Sequence, residues 1–315
     1  MPIQVQCCGL FLMVLLLYFY KSQKTIKLNT EKVFWSSFVM TFVCIVLDIL
    51  SCVVISYREK LPDLLVKFVS KTYLASLVGV AFFALLYICT DIYAKKEIYK
   101  KTMLQYGVFV AAAVILIYAL PIYFYENKTE GVLYSYGPSD YATYGFALAT
   151  LLMVCMRLFK EKKKISSGRR VAVAIWLSVW VAAAVIQFLF PKLLLVGFAS
   201  AMGMLVLYLV LENPGNNIDR QTGLFNHGAF LQYTKQLYNS DTPFALLALI
   251  LDHTSFKTMR TDVEQEVIAE ASDYLSGLPG IFVFKSTGTE ILLIFPQREI
   301  AKSAVRAVVE RFELG

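Results

Sequence analysis

The chain has 315 residues, 58% of them hydrophobic and 17% charged, with a mean hydropathy of +0.61. Soluble domains are about 45–50% apolar, so composition excludes an ordinary soluble protein and points to a polytopic membrane protein. The net charge of +7 would suit a nucleic-acid partner, but residues 1–212 carry 21 Lys/Arg against 11 Asp/Glu while residues 213–315 carry 9 against 12. The excess therefore lies between apolar runs, where it sets orientation in a bilayer, and a nucleic-acid partner is excluded.

A spanning helix needs about 20 apolar residues. Such runs fall at 3–20, 33–56, 72–92, 103–125, 141–158, 171–190 and 192–211. The first carries Gln4 and Gln6 and lacks both a basic leader and a small-residue cleavage site, so it reads as a retained span and not a signal peptide. The second contains Asp48, the one charge deep in a run; Asp91 lies near the end of the third. Asp48 reads as a functional acid facing the bundle interior or as a hydrogen-bonded structural acid. Between the fourth and fifth runs, residues 126–140 mix acids with tyrosines: Glu126, Glu130, Tyr134, Tyr136 and Asp140, flanked by Tyr123, Tyr125, Tyr141 and Tyr144. They offer either a ligand pocket or an interfacial tyrosine belt. The cluster at Lys160, Lys162, Lys163 and Lys164 with Arg169 and Arg170 reads as a cytoplasmic loop against anionic lipid. Pro191-Lys192 separates the last two runs as a tight helical hairpin. All six cysteines, Cys7, Cys8, Cys44, Cys52, Cys89 and Cys155, lie in or beside apolar runs without metal-ligand spacing, as small packing residues do.

Counting Arg157 and Lys192 at the run ends, the loops after runs one, three and five carry 15 Lys/Arg and those after runs two, four and six carry 6. The cation-rich loops belong in the cytoplasm, which puts the N-terminus outside and residues 213–315 inside a plasma membrane.

Asn213-Pro214-Gly215 breaks the seventh run and opens a linker, 213–218. Beyond it the pattern predicts a helix at about 228–238, an apolar strand at 243–251, a helix at about 262–276, a strand at 280–285, a turn at 286–289, a strand at 290–295 and an amphipathic helix at 298–312. After the first helix the order is β-α-β-β-α, one strand short of a ferredoxin-like α/β unit. The expected architecture is a seven-span bundle over 1–212 followed by an α/β cytoplasmic domain over 219–315, incomplete at its C-terminus.

Three blocks carry a family resemblance. Asp219-x-x-Thr222-Gly223-Leu224-Phe225-Asn226 is similar to D-x-L-T-G-L-x-N. Leu249-Ile250-Leu251-Asp252-His253-Thr254-Ser255-Phe256-Lys257 resembles a strand followed by D-x-D-x-F-K. Thr287-Gly288-Thr289-Glu290-Ile291 stands where G-G-D-E-F belongs. The segment thus resembles the GGDEF domain of diguanylate cyclases, here on a seven-span sensor of bacterial type. The resemblance implies GTP as substrate, Mg2+ held by carboxylates, and cyclic di-GMP as product. It gives Asp252 one metal-ligand place and Lys257 a place at the triphosphate. The second metal carboxylate of the signature is replaced by Thr289, a neutral hydroxyl, and the first glycine by Thr287. The Asn that reads guanine is replaced by Arg260, and the inhibitory R-x-x-D lacks both charges at 278–281.

The expectation is therefore a sensor with a degenerate GGDEF-like module, regulatory or dimerising, in front of a C-terminal effector domain. An active diguanylate cyclase using GTP and Mg2+ is the alternative, and a small-solute transporter is a third reading. No cofactor is otherwise implied. Thr129→Cys and Ser166→Cys, each on a background lacking native cysteines, test the orientation with an impermeant thiol reagent in intact cells. Residue 129 should be labelled and residue 166 protected; the reverse pattern overturns the topology.

Overall fold

The structure, a computed structural model, describes residues 3–26, 28–92, 96–127, 132–190, 193–250, 261–287 and 290–295, together with 302, 305–306 and 309–311. The chain divides into two compact units: Met1–Gln23 with Asn29–Asn213, and Lys24–Leu28 with Pro214–Gly315.

The first unit is helical: α1 Gln4–Lys21, α2 Asn29–Ser56, α3 Asp63–Ile92, α4 Lys96–Ala119, α5 Pro138–Lys160, α6 Ser167–Leu189 and α7 Val196–Leu207. All seven lie in segments long and apolar enough to span a membrane, which marks the chain as a multi-pass membrane protein. Helices are required there because a bilayer offers no partner to an unpaired backbone amide or carbonyl. Outward-facing Leu104, Val108 and Ile115 on α4 and Val181, Val185 and Phe188 on α6 are exposed, as lipid contact demands. The most enclosed span is α3, which packs on α2, α4 and α5; α7 packs on α1, α2 and α6. Small residues allow close approach. A Cβ on Gly203 of α7 would collide with the Trp176 indole of α6, and one on Gly79 of α3 with Met40 of α2.

Two boundaries differ from the sequence reading. Residues 72–92 are only part of α3, which begins at Asp63. The fourth apolar run does not continue to residue 125: α4 ends at Ala119, Pro121 follows, and β1 Tyr123–Asn127 pairs antiparallel with β2 Val132–Tyr136. Tyr123 faces Tyr136, and Tyr125 faces Tyr134, with ring centroids 5.7 and 5.1 Å apart. The aromatic residues that lengthened the apolar run are cross-strand pairs of a hairpin. After α7 the chain forms a π-turn, Tyr208–Glu212, then a 3-10 turn, Pro214–Asn217.

The second unit contains α8 His227–Asn239, β3 Ala245–Ile250, α9 Thr261–Gly277, β4 Phe282–Lys285 and β5 Glu290–Phe295. The sheet is antiparallel in the order β3-β5-β4. Residues 302, 305–306 and 309–311 are helical. On one side Phe225, Tyr233, Phe284, Leu292 and Ile294 form a core with Ile26 and Leu28. On the other, Leu224, Leu275, Val283, Leu293 and Phe295 pack together. Burial raises the Tyr233 hydroxyl above the usual tyrosine value, so the ring stays neutral beside Phe282, 4.7 Å away.

The contribution of Lys24–Leu28 is absent from the sequence reading. This short connector between α1 and α2 belongs to the C-terminal unit. Ile26 and Leu28 are buried in its aromatic core, and the Lys24 ammonium lies 5.2 Å from the centroid of the Phe225 ring.

Candidate functional site

At the hairpin end of the helical unit, α2, α3, β2, α5 and the α6–α7 connection enclose a cavity of about 200 Å³. Its walls include Asp48, Tyr73, Tyr134, Asp140, Tyr144 and Gln187. Asp48 is 2% exposed and its Oδ2 has no hydrogen-bond partner. Space for this carboxylate comes from Gly197 of α7, where a Cβ would stand 3.0 Å from Asp48 Oδ2. Gln6 of α1 and Tyr73 of α3 approach the same acid, and Gln6 is fully buried with neither its amide nitrogen nor its oxygen in a hydrogen bond of good geometry. Native interiors leave few polar groups in this condition, so the pair requires a physical reason.

Asp140 stands in the first turn of α5. Its Oδ1 accepts from Ser135 Oγ at 2.8 Å, while Oδ2 is buried without a partner. Gln187 closes another side of the site. Its Oε1 accepts from the backbone amides of Leu195 and Val196 at 2.8 and 3.0 Å, so an α6 side chain caps the start of α7. Sequence reasoning singled out Asp48 and the Asp140 and Tyr134–Tyr144 region separately; the fold brings them to one cavity. It missed Gln6 and Gln187, whose roles depend on spatial neighbours.

A second polar cluster corrects the reading of Arg169 as a loop cation. Arg169 is buried, its Nη1 donates to Thr90 Oγ1 at 2.7 Å, and its guanidinium lies 4.8 Å from the Tyr87 ring centroid. The Tyr87 hydroxyl donates to Glu212 Oε1 at 2.6 Å. The signal was available: Arg169, Val173, Trp176 and Trp180 recur at helical spacing and form the buried face of α6.

In the second unit, the block 219–226 has a structural explanation. Asp219 Oδ1 accepts from the amides of Gln221 and Thr222 at 3.2 and 3.0 Å and from Thr222 Oγ1 at 2.8 Å. Gly223 supplies the left-handed residue of this turn, with φ +66°. Leu224 and Phe225 enter the two cores, and Asn226 Oδ1 caps α8 by accepting from the Ala229 amide at 3.0 Å. The block thus builds a turn, two core anchors and a helix cap. Thr287 and Glu290 flank the β4–β5 turn, where the Glu290 amide donates to the Thr287 carbonyl at 2.9 Å. Ile291 is buried in the sheet core. Asp252, Lys257, Arg260, Gly288 and Thr289 lie outside the described residues. Among the described residues no group of three or more His, Cys, Asp or Glu is placed to hold a metal ion. Compared with the profiles of known protein families, the chain matches none, and it matches no curated protein.

The geometry separates residues that hold the fold from one that strains it. Gln187→Ala removes the acceptor of two helix-start amides and should lower stability by about 1 kcal/mol or more. Asp48→Asn keeps the shape and replaces a buried carboxyl whose Oδ2 has no partner, so thermal unfolding in detergent should be unchanged or shifted upward. A large fall in the unfolding temperature of Asp48→Asn would make Asp48 a structural acid.

Proposed function

We propose that this protein is a plasma-membrane receptor. Its hairpin-end cavity, facing outward, binds a ligand, and the state of the bundle passes to a regulatory, non-catalytic GGDEF-like unit in the cytoplasm, linked to cyclic di-GMP signalling. The observation that carries this reading is the connector Lys24–Leu28. It is integral to the C-terminal unit, while the helices it joins, α1 and α2, carry Gln6 and Asp48. A small shift of either helix at the cavity is transmitted along the chain to Ile26 and Leu28 in the aromatic core. Packed cores respond to such shifts by switching between arrangements, not by deforming smoothly.

The GGDEF-like assignment is supported by the three sequence blocks and by the antiparallel order β3-β5-β4 with its β4–β5 turn at the signature. The reading of that unit as regulatory follows from chemistry. Thr289 offers no anionic ligand to Mg2+, Arg260 replaces the guanine-reading amide, and of the functional set Asp252 and Lys257 remain. Such a module acts through contacts, as a homodimer or upon an effector domain or another cytoplasmic partner.

Loss of one well-placed electrostatic group commonly lowers a rate by about 10²–10³-fold. The purified full chain should accordingly make no cyclic di-GMP from GTP with Mg2+ or Mn2+, and Asp252→Ala should change nothing. Robust synthesis that disappears in Asp252→Ala would contradict the regulatory reading and establish an active diguanylate cyclase.

A further inference from the structure

We propose that the cavity at the hairpin end takes a small organic monocation, an ammonium carried on an apolar group about one ring in size, with Asp48 as its buried counter-ion. The proposal rests on the reading of this cavity as a ligand site and specifies its chemistry.

Charge is the first reason. Asp48 and Asp140 both line the cavity and are 2% and 7% exposed, and in each Oδ2 is buried without a hydrogen-bond partner. Asp48 within the α2 span and Asp140 at the start of α5, both in that state, mark a place where a cation completes the site. Among the described lining residues there is no Lys, Arg or His. Two cations of this end are engaged with backbone: Arg58 Nη1 donates to the Phe124 carbonyl at 3.3 Å, and Lys71 Nζ donates to the Tyr118 and Leu120 carbonyls at 2.8 and 2.6 Å. Among the described lining residues an anionic ligand would meet two carboxylates and no opposing charge.

The walls decide which kind of cation. Hard metal ions want about six oxygen ligands, and the described residues provide no acidic cluster of that kind. Tyr73, Tyr134, Tyr141 and Tyr144 instead line the cavity with aromatic surface, which attracts ammonium groups through the ring quadrupole. Leu74 and Leu77 add apolar wall that suits a hydrocarbon carrier. Size sets the scale: a cavity of about 150 Å³ holds benzene, and this one is about 200 Å³. The ammonium would pair with the carboxylates of Asp48 and Asp140, in each of which Oδ2 is buried without a hydrogen-bond partner.

The test uses the full chain in lipid nanodiscs with three matched probes: benzylammonium, benzyl alcohol and benzoate. Isothermal titration and thermal unfolding read binding to the wild type and to Asp48→Asn, Asp140→Asn and, as a control away from the cavity, Asp63→Asn. The expected result is benzylammonium binding tighter than benzyl alcohol by about tenfold or more, with no binding of benzoate. Asp48→Asn should erase that preference, Asp140→Asn should weaken it, and Asp63→Asn should keep it. Equal or tighter binding of benzyl alcohol or benzoate overturns the cation assignment while leaving a ligand site in place. Undiminished preference in both Asp48→Asn and Asp140→Asn also overturns it. Binding of none of the three probes removes the cation assignment and the ligand-site reading together.

Discussion

Asp48 lies in the apolar interior of the bundle with Oδ2 unpartnered, and an acid at membrane depth costs about 2.5–3.5 kcal/mol on insertion scales. Much of the surrounding arrangement follows from accommodating that group. Gly197 leaves room on α7, Gln6 stands on α1, and α1, α2 and α7 pack against one another around them. The Gln187 cap fixes where α7 begins and therefore where Gly197 falls. Ser135 holds Asp140 on the same cavity and ties the hairpin to α5. A structural acid would be expected to have both oxygens satisfied. The unsatisfied state fits a group kept for binding, at the expense of stability.

The second unit obeys a different constraint. It takes Ile26 and Leu28 from the α1–α2 connector into an aromatic core around Phe225, Tyr233 and Phe284. The connector is thereby tied to α1 and α2 by the chain and to the C-terminal unit by packing. That covalent arrangement gives the proposed receptor a continuous path from cavity to output along α1 and α2, about 30 Å of helix, without a coiled-coil relay. At the other helix ends, the Arg169–Thr90 and Tyr87–Glu212 hydrogen bonds join α6, α3 and the π-turn after α7. They anchor the helix from which residues 214–217 depart.

Seven spans were legible because a membrane forces long apolar runs with polar breaks, and β3, α9, β4 and β5 because their periodicity and turn residues agree. The hairpin β1–β2 was hidden because Tyr123, Phe124 and Tyr125 prolong an apolar run; the stop signal was Pro121. Asp48 was visible as an isolated charge, whereas its union with Asp140 depends on α2 and α5 meeting the same cavity. Gln187 was illegible because its partners, the amides of Leu195 and Val196, are defined only once α6 and α7 fold back together. Arg169 was counted with its charged neighbours though its spacing with Trp176 and Trp180 placed it inside. Lys24–Leu28 read as a loop, since two alternating apolar residues in so short a segment carry no strong periodic signal.

The central claim is that occupancy of the Asp48 cavity changes the C-terminal unit through the α1–α2 connector. Hydrogen–deuterium exchange of the full chain in nanodiscs, with and without saturating benzylammonium, tests it most directly. Altered exchange is expected both at cavity segments and in peptides covering residues 24–28 and 282–285. Protection confined to the cavity, with 24–28 and 282–285 unchanged, would contradict it.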